Sequence, residues 1–257
     1  MSHIKGLIFD LGNTLMYMDG EWEAVLAQGG RDLGEFLADQ GFSVDPAQFG
    51  TDYLSLRRAL WLRSREEQVE YTADYALVTL LAQLGYEDVS EELVERAVNT
   101  FFSFEETRWH AYPDSEAILR ELSERGYRLG LLSNATYDPL IQRLVDRGGL
   151  RRWLDVALSS AGVGIRKPRA EVFQKVLDQW GFSPSEAMMI GDMLQFDILG
   201  AHNAGMKGIL AAWDLYADYD AGGDDIVPDA TANSLPQLLD VVTALGRQTS
   251  ESDSEAG

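Results

Sequence analysis

The stretch Ile4-Lys5-Gly6-Leu7-Ile8-Phe9-Asp10-Leu11-Gly12-Asn13-Thr14-Leu15 passes from an apolar segment rich in β-formers into a carboxylate and then a Gly-Asn-Thr turn. A buried strand that halts at an aspartate puts that carboxylate at the carboxyl edge of a sheet. In open parallel sheets, ligands bind at that edge. Taken alone, the stretch fits equally well a strand whose terminal aspartate only caps its own turn.

Downstream the character changes twice. Between about residues 20 and 110 the apolar residues recur at helical spacing. Asp45-Pro46 opens a helix carrying Phe49, Tyr53, Leu56 and Leu60, and Leu77, Leu80, Leu81 and Leu84 precede a Gly85 stop. Ser90-Glu91-Glu92 opens another, carrying Leu93, Ala97, Val98, Phe101 and Phe102. This segment reads as four or five amphipathic helices with no strand, and its aromatics as core. From Tyr112 onward, short apolar runs alternate with helical patterns. Strands are expected over 127–132, 156–158, 187–190 and 208–212, with helices after Pro113, after Asp138-Pro139, over 170–180, around 196–204, and from Ser234 to about Leu245. Such alternation implies βαβ units and a parallel sheet. The expected architecture is α/β: a Rossmann-like parallel sheet flanked by helices, with an inserted all-α helical bundle. Residues 1–16 and 112–245 form the expected core domain and 17–111 the helical cap. The Ser- and Glu-rich residues 246–257 are expected to be a disordered acidic tail.

Three apolar runs end in Asp10, in Ser133-Asn134 and in Gly191-Asp192, and Lys167 stands in a loop between the second and third. Right-handed crossovers bring the strand ends to one side of a parallel sheet. Two carboxylates, a hydroxyl and an ammonium then converge, a set suited to a divalent cation and a phosphate.

Composition narrows the field. The 257 residues can bury a full core, and the formal charge of −21 argues against a broad phosphate-binding face, hence against nucleic acid or an anionic membrane as partner. No run approaches the ~18 apolar residues of a membrane span, and the N-terminal residues lack a signal-peptide layout, so a cytoplasmic protein is expected. The chain has no cysteine, which excludes disulfides and thiolate chemistry. The acidic surface fits either a salty cytoplasm or a generally acidic proteome.

The pieces Phe9-Asp10-Leu11-Gly12-Asn13-Thr14-Leu15, Leu131-Leu132-Ser133-Asn134, Arg166-Lys167-Pro168 and Ile190-Gly191-Asp192 with Asp197 stand in the order and spacing of the haloacid dehalogenase (HAD) superfamily. The chain resembles its phosphatase-rich branch, with a helical cap after the first strand. The resemblance implies that Asp10 is a nucleophile forming an aspartyl-phosphate. It implies Mg²⁺ held by Asp10, Asp192 and the Gly12 carbonyl. Lys167 would neutralise phosphoryl oxygens, while Ser133, Asn134 and Thr14 would contact the substrate. Asp197 would support the metal waters or Lys167 from behind. The implied partner is a small phosphorylated metabolite, acted on by a monomer or homodimer.

One position departs from that pattern. Most phosphatases of the family carry a second aspartate two residues after the nucleophile, which protonates the leaving alcohol; here it is Gly12. A positioned acid contributes roughly 10²–10⁴-fold. Asp19 is the preferred stand-in, and His110 the second. The glycine also keeps two other readings open: a metal-independent 2-haloacid dehalogenase, and a protein that binds a phosphorylated ligand or a partner without turnover.

Overall fold

The computed structural model describes residues 4–213 and 225–255. At its centre lies β1 (Gly6–Phe9), every residue buried. The strands β4 (Arg128–Ser133), β5 (Val156–Ser159), β6 (Ala187–Gly191), β7 (Lys207–Ala211) and β8 (Ala230–Ala232) join it in a six-stranded sheet of order β5-β4-β1-β6-β7-β8. All pairings in this sheet are parallel, with Phe9 opposite Leu131 on one side and Ile190 on the other. The chain steps outward from β1 to β4 and β5, then returns to the far side of β1 for β6. That reversal opens a crevice at the carboxyl ends of β1 and β6.

Side chains alternate across the strands and feed a core on each face. Leu7, Phe9, Leu129, Leu131, Met188 and Ile190 point to one side. Ile8, Leu132 and Met189 point to the other, where α8 (Ala170–Trp180) covers them with Val172, Phe173, Val176 and Leu177. Among the described residues no helix is long and apolar enough to cross a membrane.

Four helices follow the first motif: α1 (Trp22–Asp39), α2 (Pro46–Glu67), α3 (Ala73–Gln83) and α4 (Glu91–Arg108). Their starts are capped as the residue types dictate. The side chains of Asp45, Thr72 and Ser90 accept from the backbone N–H of Gln48, Tyr75 and Leu93 at 2.8, 3.2 and 3.3 Å. The sequence reading expects no strand between 20 and 110, and here it is corrected. β3 (Trp109–Ala111) pairs antiparallel with β2 (Met16–Met18), setting Met18 opposite Trp109. Strands this short carry no readable alternation. The ribbon ties the entry of the helical segment to its exit.

After β3 come α5 (Ser115–Glu124), α6 (Asp138–Arg147), α7 (Ser160–Val163) and, beyond α8, α9 (Leu199–Asn203), which follows a π-helical turn at Leu194–Ile198. Two further expectations change. β8 is Ala-Thr-Ala, too small to register as an apolar run. The last helix, α10 (Leu235–Glu255), runs on through residues expected to be disordered. Gly246 weakens a helix by about 1 kcal/mol relative to Ala but does not stop it, and no proline follows. Residues 256–257 of the expected tail lie outside the described residues.

Candidate active site

Asp10 continues the ladder past β1, its N–H donating to the Ile190 carbonyl at 2.9 Å. Its carboxylate therefore emerges at the switch between β1 and β6. Lys167, only 1% exposed, reaches it from the loop before α8. The ammonium donates to Asp10 Oδ1 at 2.6 Å, to Asp197 Oδ1 at 2.5 Å and to the Leu132 carbonyl at 2.8 Å. Those acceptors satisfy the three N–H bonds of an ammonium, and they come from the end of β1, the end of β4 and the π-helical turn after β6. Burial alone would depress the Lys167 pKa; the charges of Asp10 and Asp197 outweigh it and hold it above the ordinary lysine value.

The loop bearing Lys167 is fixed by Asn134. Its Nδ2 donates to the Lys167 carbonyl at 3.0 Å, and its Oδ1 accepts from the Lys167 N–H at 2.9 Å. Both ends of the amide are thus engaged by backbone, so Asn134 holds the loop and keeps one N–H beyond that pairing. Thr14 is fully buried, and its Oγ1 has no partner among the described residues. It is closed to a ligand arriving from solvent. Ser133, 6% exposed, ends β4 opposite Ser159 on β5.

Across the crevice Asp192 follows β6. Asn13 Nδ2 donates to Asp192 Oδ2 at 3.2 Å. Asn13 adopts φ 52°, a left-handed turn conformation that asparagine tolerates better than most residues. Asp197 is anchored on its other oxygen, where Oδ2 accepts from the Met193 N–H at 3.0 Å. Gly191 makes room for it, because a Cβ there would lie 2.3 Å from Asp197 Cγ. Gly191→Ala is expected to push Asp197 off Lys167 and to cost about 1–3 kcal/mol of stability, read by thermal or urea unfolding.

Three carboxylates thus share the crevice with one ammonium. Burial, and then the charges of Asp10 and Asp197, push the Asp192 pKa up. Burial also raises Asp197, against the pull of Lys167. Such a cluster lacks positive charge. Its donors are hard oxygens, which suit Mg²⁺. Among the described residues no three His, Cys, Asp or Glu side chains form a cage, so a cation here would keep most of its water.

The two stand-in acids sit at the ribbon. Asp19, its side chain 64% exposed, lies 3.9 Å from Arg108 Nη1. His110 is exposed on β3, its ring 5.6 Å from that of Tyr17. Two residues near the site, Trp109 and Glu105, escape a reading by motif, whereas Asn13 stands in the Gly-Asn-Thr turn and carries a usable signal there. Trp109 and Glu105 had none, because only the folded chain brings them toward Gly12.

A doubly wound sheet that gathers a carboxylate, its lysine clamp and a second carboxylate at its switch point has the ligand crevice of an α/β enzyme. The chain belongs to the haloacid dehalogenase-like hydrolases, whose family model matches residues 4–205. Among its relatives is a glyceraldehyde 3-phosphate phosphatase of Methanopyrus kandleri, 27% identical over 246 residues, spanning 95% of this chain and 99% of the relative. A phosphoserine phosphatase of Thermus thermophilus is 32% identical over 224 residues, spanning 80% and 88%. A crystal structure of a 2-haloacid dehalogenase from Pseudomonas syringae pv. Tomato superposes with a TM-score of 0.70 at 25% identity, covering 94% of this chain and 99% of that one.

Proposed function

We propose that this protein is a Mg²⁺-dependent phosphatase of a small phosphorylated metabolite, working through an aspartyl-phosphate on Asp10. The observation that carries the reading is the Lys167 ammonium, hydrogen-bonded at once to Asp10 and Asp197 with Asp192 across the crevice. The two relatives named for small phosphate esters support the substrate class. Lys167 occupies Asp10 Oδ1, which leaves Oδ2 as the oxygen to attack phosphorus. The ester P–O bond breaks as the aspartyl–phosphorus bond forms, and the leaving oxygen departs with the bonding pair. Water then attacks the acyl phosphate, releasing phosphate and restoring the carboxylate. Mg²⁺ held by Asp10, Asp192 and the Gly12 carbonyl would supply the charge that lets an anionic nucleophile approach an anionic phosphoryl group. Lys167 shares that work, and Ser133 would donate to a phosphoryl oxygen. Asp197 fixes Lys167.

A 2-haloacid dehalogenase is the second reading, favoured by Gly12 and by the dehalogenase structure that superposes on this chain. Phosphate release from p-nitrophenyl phosphate, lost with EDTA and regained with excess MgCl₂, is the expected result. Metal-independent chloride release from 2-chloropropionate would replace the phosphatase reading with the dehalogenase. Silence in both assays, with Mg²⁺ still bound, would replace it with a non-catalytic binder.

A further inference from the structure

Gly12 does not leave an empty place beside the nucleophile. A Cβ built on it would lie 3.2 Å from Cη2 and 3.6 Å from Cζ3 of Trp109. The first of these is closer than side chains ordinarily pack, so the benzo edge of the indole lines the space into which any side chain at position 12 would grow. Trp109 belongs to β3, 97 residues on in the chain, and is not part of the first motif.

The backbone of this residue is fixed at two points, and one hydrogen bond orients its ring. Its backbone pairs with Met18 across the ribbon. Its carbonyl accepts from Arg147 Nη2 at 2.8 Å, so a helix of the sheet domain grips the same residue. Its Nε1 donates to Glu105 Oε1 at 3.1 Å. Glu105 is itself buried, one helical turn earlier on α4, and burial raises its carboxyl pKa while the Trp109 N–H and Arg57 oppose the rise. With its backbone fixed, the indole can move away from Gly12 only by giving up its Nε1 bond to buried Glu105. A side chain at position 12 therefore has to shift this ring by a few tenths of an ångström at its Cβ alone, and more as it extends along the indole edge.

We infer that Trp109 is a specificity-determining residue. It fills the place of the missing proton donor with a rigid apolar edge and so fits the site to phosphate esters whose leaving group departs without a proton. This rests on the phosphatase reading above and sets this chain apart from the two relatives, whose names denote alkyl phosphates. An indole C–H edge has no proton to give, and by lining the space beside Gly12 it would keep a bridging water out of that space. Aryl and acyl phosphates lose stable anions and tolerate this. Alkyl esters lose an alkoxide, which needs protonation as the bond breaks. Glycine and tryptophan act as one unit, since either alone is an incomplete explanation: the glycine removes the acid, and the indole prevents water from replacing it.

The test is a double-substitution cycle read on p-nitrophenyl phosphate and on an alkyl phosphate such as glycerol 3-phosphate, with thermal unfolding of each variant. Gly12→Asp alone is expected to change alkyl turnover by only a few-fold and to lower the melting temperature. In the Trp109→Ala background the same Gly12→Asp change is expected to raise alkyl turnover by about 10²-fold, the lower end for a positioned acid, without the loss of stability. Should Trp109→Ala fail to fold, Trp109→Leu gives the same comparison. Gly12→Asp that restores alkyl turnover equally in both backgrounds, or a wild-type aryl-to-alkyl ratio near unity, overturns this inference and leaves the phosphatase reading standing. Wild-type protein that releases phosphate from neither ester overturns both.

Discussion

Asp10→Asn is expected to abolish phosphate release, by at least about 10⁴-fold, while the protein folds as well as the wild type. An amide cannot displace an ester from phosphorus, and losing a nucleophile removes the covalent route altogether. The structural consequence should be slight. Asparagine retains an oxygen that can accept from Lys167, so the 2.6 Å contact survives in kind. The substitution also removes one of three carboxylates crowded around a single ammonium, and with it part of what raises Asp192 and Asp197. A melting temperature equal to or above that of the wild type, together with lost turnover, separates chemistry from folding. Acid-quenched wild-type enzyme should in turn carry the mass of one phosphoryl group on the peptide containing Asp10. Undiminished turnover by Asp10→Asn would remove the nucleophile from this site.

Much of this arrangement was legible in the chain because its signals are local. A carboxylate ending an apolar run is a short-range pattern, and Asp10 and Asp192 both announce themselves that way. Parallel topology then does the rest, since right-handed crossovers carry every strand end to one edge. Lys167 was readable for a different reason: lysine is scarce in this chain, and this one stands in a loop between two strand ends. What stayed hidden depends on contacts between distant residues. Asn134 sits where a substrate contact is expected, yet its amide is taken up by the backbone of Lys167, thirty-three residues on. Thr14 follows the motif in sequence but turns inward. The ribbon of β2 and β3 comprises three residues per strand, too few for periodicity to speak. Trp109 beside Gly12 is invisible for the same reason, being a consequence of that ribbon's register.

Lys167→Met should damage the protein twice over, and the two losses can be told apart. Methionine nearly matches the lysine stem in length and carries no charge, so the packing around the stem is largely preserved. What disappears is the only partner of buried Asp197 Oδ1 among the described residues and the cation facing Asp10. Breaking a buried pair from one side leaves an uncompensated charge and costs about 3–5 kcal/mol. The pH dependence carries a definite sign. Asp197 already sits above the ordinary carboxylate value because of burial, and Lys167 opposes that rise. Removing the lysine must raise Asp197 further. A carboxyl whose folded pKa exceeds its unfolded value weakens the fold as pH climbs, because the folded state must ionise it at a cost the unfolded chain does not bear. In metal-free buffer the variant should therefore approach wild-type stability near pH 5 and fall progressively behind it toward pH 8. Activity should be lost throughout that range, since the ammonium no longer shares in neutralising the phosphoryl oxygens or steadies Asp10. A stability deficit that is flat with pH would mean that Lys167 contributes bulk and not charge. A variant that still turns over p-nitrophenyl phosphate at a comparable rate would remove the ammonium from the catalytic account.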